Sequence, residues 1–199
     1  MSFDKNFFDQ ASKLLTGADH LLSTKYRGDF GGRQPIHTCY VPADKLSATT
    51  PADWGTTALR TIEEHTPTAA SFAQAVGCQE SSVSEIFDRI KEKLAREPIE
   101  DLRIDFEDGY GRRGDEQEEQ HLESALKVYG SLRVPFIGIR MKAMEEVTRL
   151  RALKTLDKFV TGLLELGSYP DNFIITLPKV TFPEQVDVMV TACEKIEKD

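Results

Sequence analysis

The alternation in its second half constrains this chain more than any other feature. From residue 100 onward, short apolar runs trade places with amphipathic helical patterns. LRIDF (102–106) reads as a strand, FIGIRM (136–141) as the next, and FIITL (173–177) as a third, stopped by Pro178. Between the first two, Asp115 and Glu118 supply a D-x-x-E helix start. Leu122, Ala125, Leu126 and Tyr129 give that helix an apolar stripe, and Gly130 can end it. A longer helix is predicted over 143–166, with Val147, Leu150, Leu153, Phe159, Val160, Leu163 and Leu164 facing inward and Gly167 and Pro170 closing it. A last helix, about 183–197, carries Val186, Met189, Val190, Cys193 and Ile196. Such alternation implies parallel strands with helices packed outside. The apolar character of the strands predicts burial of both sheet faces. The fold class is therefore α/β, either a doubly wound sheet or a (β/α)8 barrel. In both, ligands gather at the C-terminal ends of the strands.

The first half is less regular. Residues 3–22 read as an amphipathic helix through Phe3, Phe7, Ala11, Leu14 and Leu15, and GDFGGRQP (28–35) reads as a loop. IHTCYV (36–41) is a β-rich run stopped by Pro42. The region 45–100 looks helical. Its clearest helix is 82–96, with Val83, Ile86, Phe87, Ile90 and Leu94 on one face and Pro98 at its end. No clear internal repeat stands out. These patterns divide the chain into an N-terminal helical extension with a Gly-rich loop (1–34) and an α/β portion (35–199) carrying a helical insertion at about 45–100.

Composition excludes several classes of function. With 25 Lys and Arg against 33 Asp and Glu, the net charge is −8, which argues against neutralising nucleic-acid phosphates. No stretch approaches the ~20 apolar residues of a membrane span. The opening MSFDKNFFDQ has acids where a signal peptide needs basic residues. Cys39, Cys78 and Cys193 form no CxxC pair, so no zinc knuckle or disulfide framework is expected. A cytoplasmic location is the simplest expectation.

The strand ends carry the chemistry. Asp105, Glu107 and Asp108 lie at the end of 102–106, Arg140 at the end of 136–141, and Lys179 just past Pro178. On adjacent parallel strands these three acids and two bases meet on one rim. Clustered carboxylates repel unless a divalent metal, an arginine or both intervene. An arginine there can grip a substrate carboxylate bidentately. The plainer reading is a turn: Asp105 capping backbone amides, and Glu107, Asp108 and Gly109 forming an acidic bend.

Gly109-Tyr110-Gly111-Arg112-Arg113-Gly114 matches the G-x-G-x-x-G dinucleotide pattern between a strand and a helix. Acids flank it on both sides, however, and would repel a pyrophosphate at that helix start. Tight turning explains these glycines better. His20, His37, His65 and His121 have no metal-ligand spacing, and Cys39 reads as a small core residue.

Four segments together carry a family likeness: Tyr40-Val41-Pro42-Ala43-Asp44-Lys45, Asp105-Phe106-Glu107-Asp108-Gly109, Ile139-Arg140-Met141 and Leu177-Pro178-Lys179-Val180. In this order, over about residues 36–197, the chain resembles a divergent member of the HpcH/HpaI aldolase and citrate lyase β-subunit superfamily. The resemblance implies the first four β/α units of a (β/α)8 TIM barrel. It implies a lyase or aldolase that cleaves or forms carbon–carbon bonds through an enolate, on a carboxylate or acyl-CoA thioester, with Mg2+ or another divalent cation. Arg140 would bind the substrate carboxylate or carbonyl and stabilise the enolate. Glu107 and Asp108 would join Arg140 in catalysis by ordering water in the metal's outer shell, Lys179 would bind substrate with Arg140 and support the rim, and Asp105 would support it too. A homo-oligomer is implied for the full-length enzyme. Lys142 and Thr181 replace the Asn and Glu usual in the family. The two direct metal ligands, on the fifth and sixth strands, fall beyond the four strands predicted here. The expectation is a truncated, inactive portion. The alternatives are a binding or regulatory half-barrel, or a phosphotransfer enzyme acting on pyruvate or phosphoenolpyruvate.

Overall fold

The computed structural model describes residues 2–26, 28, 31–167 and 171–198. Contacts divide the chain into two units, 1–34 and 35–199. The first unit holds one helix, α1 (Lys5–Thr24), two residues later at each end than its sequence pattern suggests. Asp4 starts it by accepting a hydrogen bond from the Phe7 amide at 2.9 Å. Asp29 and Phe30 of the Gly-rich loop, and Pro170, lie outside the described residues.

The second unit is α/β. Strands β1 (Thr38–Pro42), β2 (Asp101–Asp105), β3 (Phe136–Arg140) and β4 (Phe173–Thr176) form one parallel sheet in the order β1-β2-β3-β4. Sequential order in an all-parallel sheet, each step crossing through helix, is compatible with part of a β/α barrel. Between β1 and β2 the chain forms a 3-10 turn (Ala43–Lys45) and four helices: α2 (Thr50–His65), α3 (Ala69–Val76), α4 (Glu80–Ser84) and α5 (Phe87–Arg96). The later crossovers use α6 (Asp115–Tyr129) and α7 (Arg149–Glu165), and α8 (Pro183–Ile196) follows β4.

The helices cover one face of the sheet. Cys39, Val41, Leu102, Ile104, Ile137, Ile139, Phe173 and Ile175 alternate along the strands and join the main core with α6 and α7. Phe159 of α7 is fully buried there, against the rings of Phe106, Tyr129 and Phe173. The helices α2 to α5 have a separate small core built on Ile62, Ala73, Val83 and Phe87.

Three expectations need correction. The sheet is not apolar on both faces, because β2 reads Asp-Leu-Arg-Ile-Asp and its odd-numbered residues are all polar. The helix expected over 143–166 starts only at Arg149. Residues 141–148 form an irregular connection instead, in which the Thr148 hydroxyl donates to the Ala143 carbonyl. The late start turns Val147 and Leu150 outward, at 84% and 81% exposure, and Leu164 is exposed as well. The buried stripe runs through Ala152, Thr155, Leu156, Phe159, Val160 and Leu163. Finally, the helix expected over 82–96 breaks between α4 and α5, which leaves Ile86 exposed while Val83 and Phe87 stay buried.

Candidate functional site

Parallel register sets the site. Pro42, Asp105 and Arg140 are successive register partners, and Thr176 pairs with Arg140, so these four residues share one rim at the C-terminal strand ends. Asp105 is fully buried. Its Oδ1 accepts from the Glu107 amide at 2.8 Å and from Arg140 Nε at 2.7 Å. Its Oδ2 accepts from the Gly109 amide at 2.9 Å and from Arg140 Nη2 at 2.7 Å. Burial alone raises a carboxyl pKa. Here the Arg140 guanidinium and the two amides outweigh burial and hold Asp105 below its ordinary value. The same contact raises the pKa of Arg140.

Two donor nitrogens of Arg140, on one edge of its fork, are thus spent on Asp105. Its plane lies over the Tyr40 ring at 4.3 Å. Nη1 makes no hydrogen bond among the described residues and only approaches Asp108 Oδ2 at 3.7 Å. Arg140 is therefore held rigidly from two sides, with one donor edge facing the rim.

Glu107 and Asp108 do not stand beside Arg140 as a free acidic pair. Lys179 Nζ donates to Glu107 Oε1 and to Asp108 Oδ1, each at 2.7 Å. Those carboxylates raise its pKa. Lys179 adopts a left-handed backbone, φ 53°, just past Pro178. The five rim residues singled out in the sequence come together, but as two sets: Asp105 with Arg140, and Glu107 and Asp108 with Lys179.

The loop between β2 and α6 is shaped for this. A Cβ at Gly109 would sit 2.7 Å from Asp105 Oδ2, so a side chain there would displace the carboxylate. Gly111 has φ 76°, and its amide donates to the Glu107 carbonyl at 2.8 Å. Gly114 is the residue before α6, whose first turn carries Asp115, Glu116 and Glu118. The G-x-G-x-x-G glycines therefore serve a tight acidic turn.

Lys142, one of the departures from the family pattern, is buried and grips that loop from below. Its Nζ donates to the carbonyls of Phe106 at 2.7 Å and Gly111 at 3.2 Å, the two ends of the segment bearing Glu107 and Asp108. Glu118 Oε2 lies 3.7 Å from Lys142 and from Arg151 without accepting a hydrogen bond. Burial raises the Glu118 pKa, against the Thr155 hydroxyl that donates to its other oxygen at 2.8 Å. Thr181, the other departure, donates through its amide to Gln185 Oε1 at 2.7 Å and helps start α8.

Sequence reasoning missed the floor beneath the rim. Arg103 and Asp101 share the sheet face of Asp105, one and two alternations deeper. Arg103 donates from Nε and Nη2 to the two oxygens of Asp101, both at 2.7 Å. The Thr38 hydroxyl donates to Asp101 at 2.7 Å, and Arg103 Nη1 reaches Thr176 on β4 at 2.7 Å. Its path crosses β3 at Gly138, its register partner, where a Cβ would meet the Ile174 carbonyl oxygen at 1.7 Å. The signal for this floor was present in the strict two-residue alternation of DLRID.

No histidine of the second unit hydrogen-bonds to these rim residues among the described residues. His37 accepts from the Glu100 amide at 3.2 Å, at the opposite end of the strands. His121 Nδ1 pairs with the Tyr110 hydroxyl at 2.8 Å. Burial, then the charge of Glu118, pushes Tyr110 up to about 12. Cys39, at the core edge, is raised by burial and then by Asp101.

The implied Mg2+ finds no direct site in these residues. Asp105 is saturated by four donors, and Glu107 and Asp108 share Lys179. Among the described residues no group of three or more His, Cys, Asp or Glu side chains converges to hold a metal ion. No described helix is long and apolar enough to cross a membrane. A cleft of about 410 Å³ opens beside the rim, lined in part by Glu107, Asp108, Arg112, Arg113, Lys142 and Lys179. No curated protein and no solved structure matches the chain. A family model described as a domain of unknown function, DUF6986, matches residues 15–199, and the chain belongs to that family.

Proposed function

We propose that this chain is the carboxylate-binding portion of a carbon–carbon lyase or aldolase resembling the HpcH/HpaI and citrate lyase β-subunit enzymes, built as the first four β/α units of a (β/α)8 barrel. One observation carries the reading: the Asp105–Arg140 pair on adjacent strand ends, with Tyr40 beneath and Arg140 Nη1 left open. A guanidinium pinned along one edge by Asp105 and across its plane by Tyr40 loses little freedom when Nη1 binds an anion. A substrate carboxylate or carbonyl oxygen at Nη1 would gain a charge-assisted hydrogen bond. If that oxygen becomes an enolate, the same donor meets a larger negative charge, which favours the transition state. Tyr40, 41% exposed, gives the bound molecule an apolar wall.

Mg2+ would supply Lewis-acid chemistry in such an enzyme. Its direct ligands would have to come from other residues, and the steps above use only Arg140 and its partners. In this reading Glu107 and Asp108, held by Lys179, order water at the rim. The substrate is a small carboxylate or an acyl-CoA thioester, in a cytoplasmic, homo-oligomeric enzyme.

Calorimetric titration with pyruvate and with malonate tests the reading. The wild-type chain should bind one or both at millimolar Kd, and Arg140→Ala should weaken binding at least about tenfold, the worth of one charge-assisted bond. Equal binding by both proteins, or none by the wild type, would contradict it.

A further inference from the structure

The helix α1 has no buried residue. Within this one helix the large apolar residues fall seven apart: Phe7-Phe8, Leu14-Leu15 and Leu21-Leu22 recur in step, with Ala11 and Ala18 midway between them. All six large side chains are exposed, Leu14 at 84%. A period of seven, shorter than two free helical turns, keeps an apolar seam facing a supercoiling partner helix. The alanines at the centre of the seam let two backbones approach closely.

The pattern is also self-complementary. Laid antiparallel on itself, α1 pairs Phe7 with Leu22, Phe8 with Leu21, Ala11 with Ala18 and Leu14 with Leu15. The same register sets Asp4 at one end against Lys25 at the other. A parallel pair would instead oppose Asp4 to Asp4 and Lys25 to Lys25. The exposed parts of the six apolar side chains amount to roughly 600 Å² per helix, about 1,200 Å² across a pair, where specific interfaces begin. The polar side carries Lys5, Asp9, Lys13 and Asp19, without the cationic excess that draws a helix to an anionic bilayer.

We infer that α1 is a dimerisation helix, pairing antiparallel with α1 of a second copy of this chain through the seam Phe7, Phe8, Leu14, Leu15, Leu21 and Leu22. Nothing in this inference depends on the proposed enzymatic reading.

Sedimentation equilibrium of the full chain should give a dimer of about 45 kDa, twice the 22.4 kDa chain, at about 50 µM. Leu14→Lys with Leu21→Lys should weaken dimerisation at least about 100-fold, with the thermal unfolding of the second unit unchanged. Orientation is read by pulsed electron resonance on a spin label at Asn6→Cys, with Cys39, Cys78 and Cys193 changed to Ser. Antiparallel pairing sets Asn6 opposite Ser23 of the other copy, so the labels should lie about 25 Å apart along the axis. A monomer at this concentration, a dimer indifferent to the lysines, or labels side by side would overturn the inference. So would a monomer that sediments with phosphatidylcholine–phosphatidylserine vesicles.

Discussion

The two faces of the sheet are made by the same four strands and share almost no chemistry. On the helix face, Leu102, Ile104, Ile137 and Ile139 pack into a continuous core with Leu156, Phe159 and Leu163. On the opposite face, Asp101, Arg103, Asp105, Arg140 and Thr176 form a floor of hydrogen-bonded charge. Hydrophobic burial is non-directional and tolerates re-packing. Bidentate ion pairs tolerate neither a lost partner nor a lost angle. The helix face therefore supplies most of the stability, and the polar face fixes where one arginine edge points.

Breaking one member of the floor should give the largest effect. Asp101→Ala leaves Arg103 buried beside Thr176 with no counter-charge, which should cost about 3–5 kcal/mol in urea unfolding. Replacing both residues, Asp101→Leu with Arg103→Met, should recover most of that loss, because no charge is then stranded. A double variant as unstable as the single one would show that the pair itself stabilises the sheet.

The helix face should respond comparably but without rescue by charge. Phe159→Ala removes a fully buried ring and should cost about 3–5 kcal/mol, read from the same denaturation midpoint. Leu150→Ala, on the same helix but 81% exposed, should change stability by less than about 0.5 kcal/mol. A large loss at Leu150 would return it to the buried stripe that its sequence spacing suggested.

Acid sharpens the comparison further. Asp105 is depressed in the folded state, so its contribution is fully present above its unfolded value, about 3.9. That contribution is lost as the pH falls through the folded value. Glu118, on the helix side, is raised, so the fold binds its proton more tightly than the unfolded chain does. Its penalty is full above the folded value and fades as the pH falls below it. The two groups therefore act with opposite sign: Glu118 returns stability as the pH falls toward its unfolded value, about 4.3, and Asp105 withdraws it as the pH falls below about 3.9. Asp105→Asn should flatten the acid limb of the stability curve, and Glu118→Gln should steepen it. A matching change in both variants would contradict this division.

Much of this was legible in the sequence. Apolar runs between helical patterns placed all four strands within two residues, because a buried strand needs consecutive residues of high β propensity. The residues of the rim were legible for the same reason, since a parallel strand's end is set by its register. What stayed hidden depends on tertiary placement. Val147 and Leu150 fit a helical period yet face solvent, because residues 141–148 turn aside before α7 begins. The pairing of Lys179 with Glu107 and Asp108 joins residues about 70 positions apart and leaves no local trace. Lys142 was legible only as a departure from the pattern of the resembled family, and its role as a buried clamp depends on tertiary placement. LRIDF was read for its apolar members and for Asp105 at its end, while Arg103 and the neighbouring Asp101 proved to be the floor of the site.

The most direct test of the account maps a carboxylate onto the rim. Backbone and arginine side-chain resonances of the full chain should be followed by NMR as malonate is added. The account predicts shifts centred on Tyr40, Asp108 and the Arg140 guanidinium, absent in Arg140→Ala. Shifts confined to the Arg112–Arg113 side of the neighbouring cleft, or none at all, would contradict it.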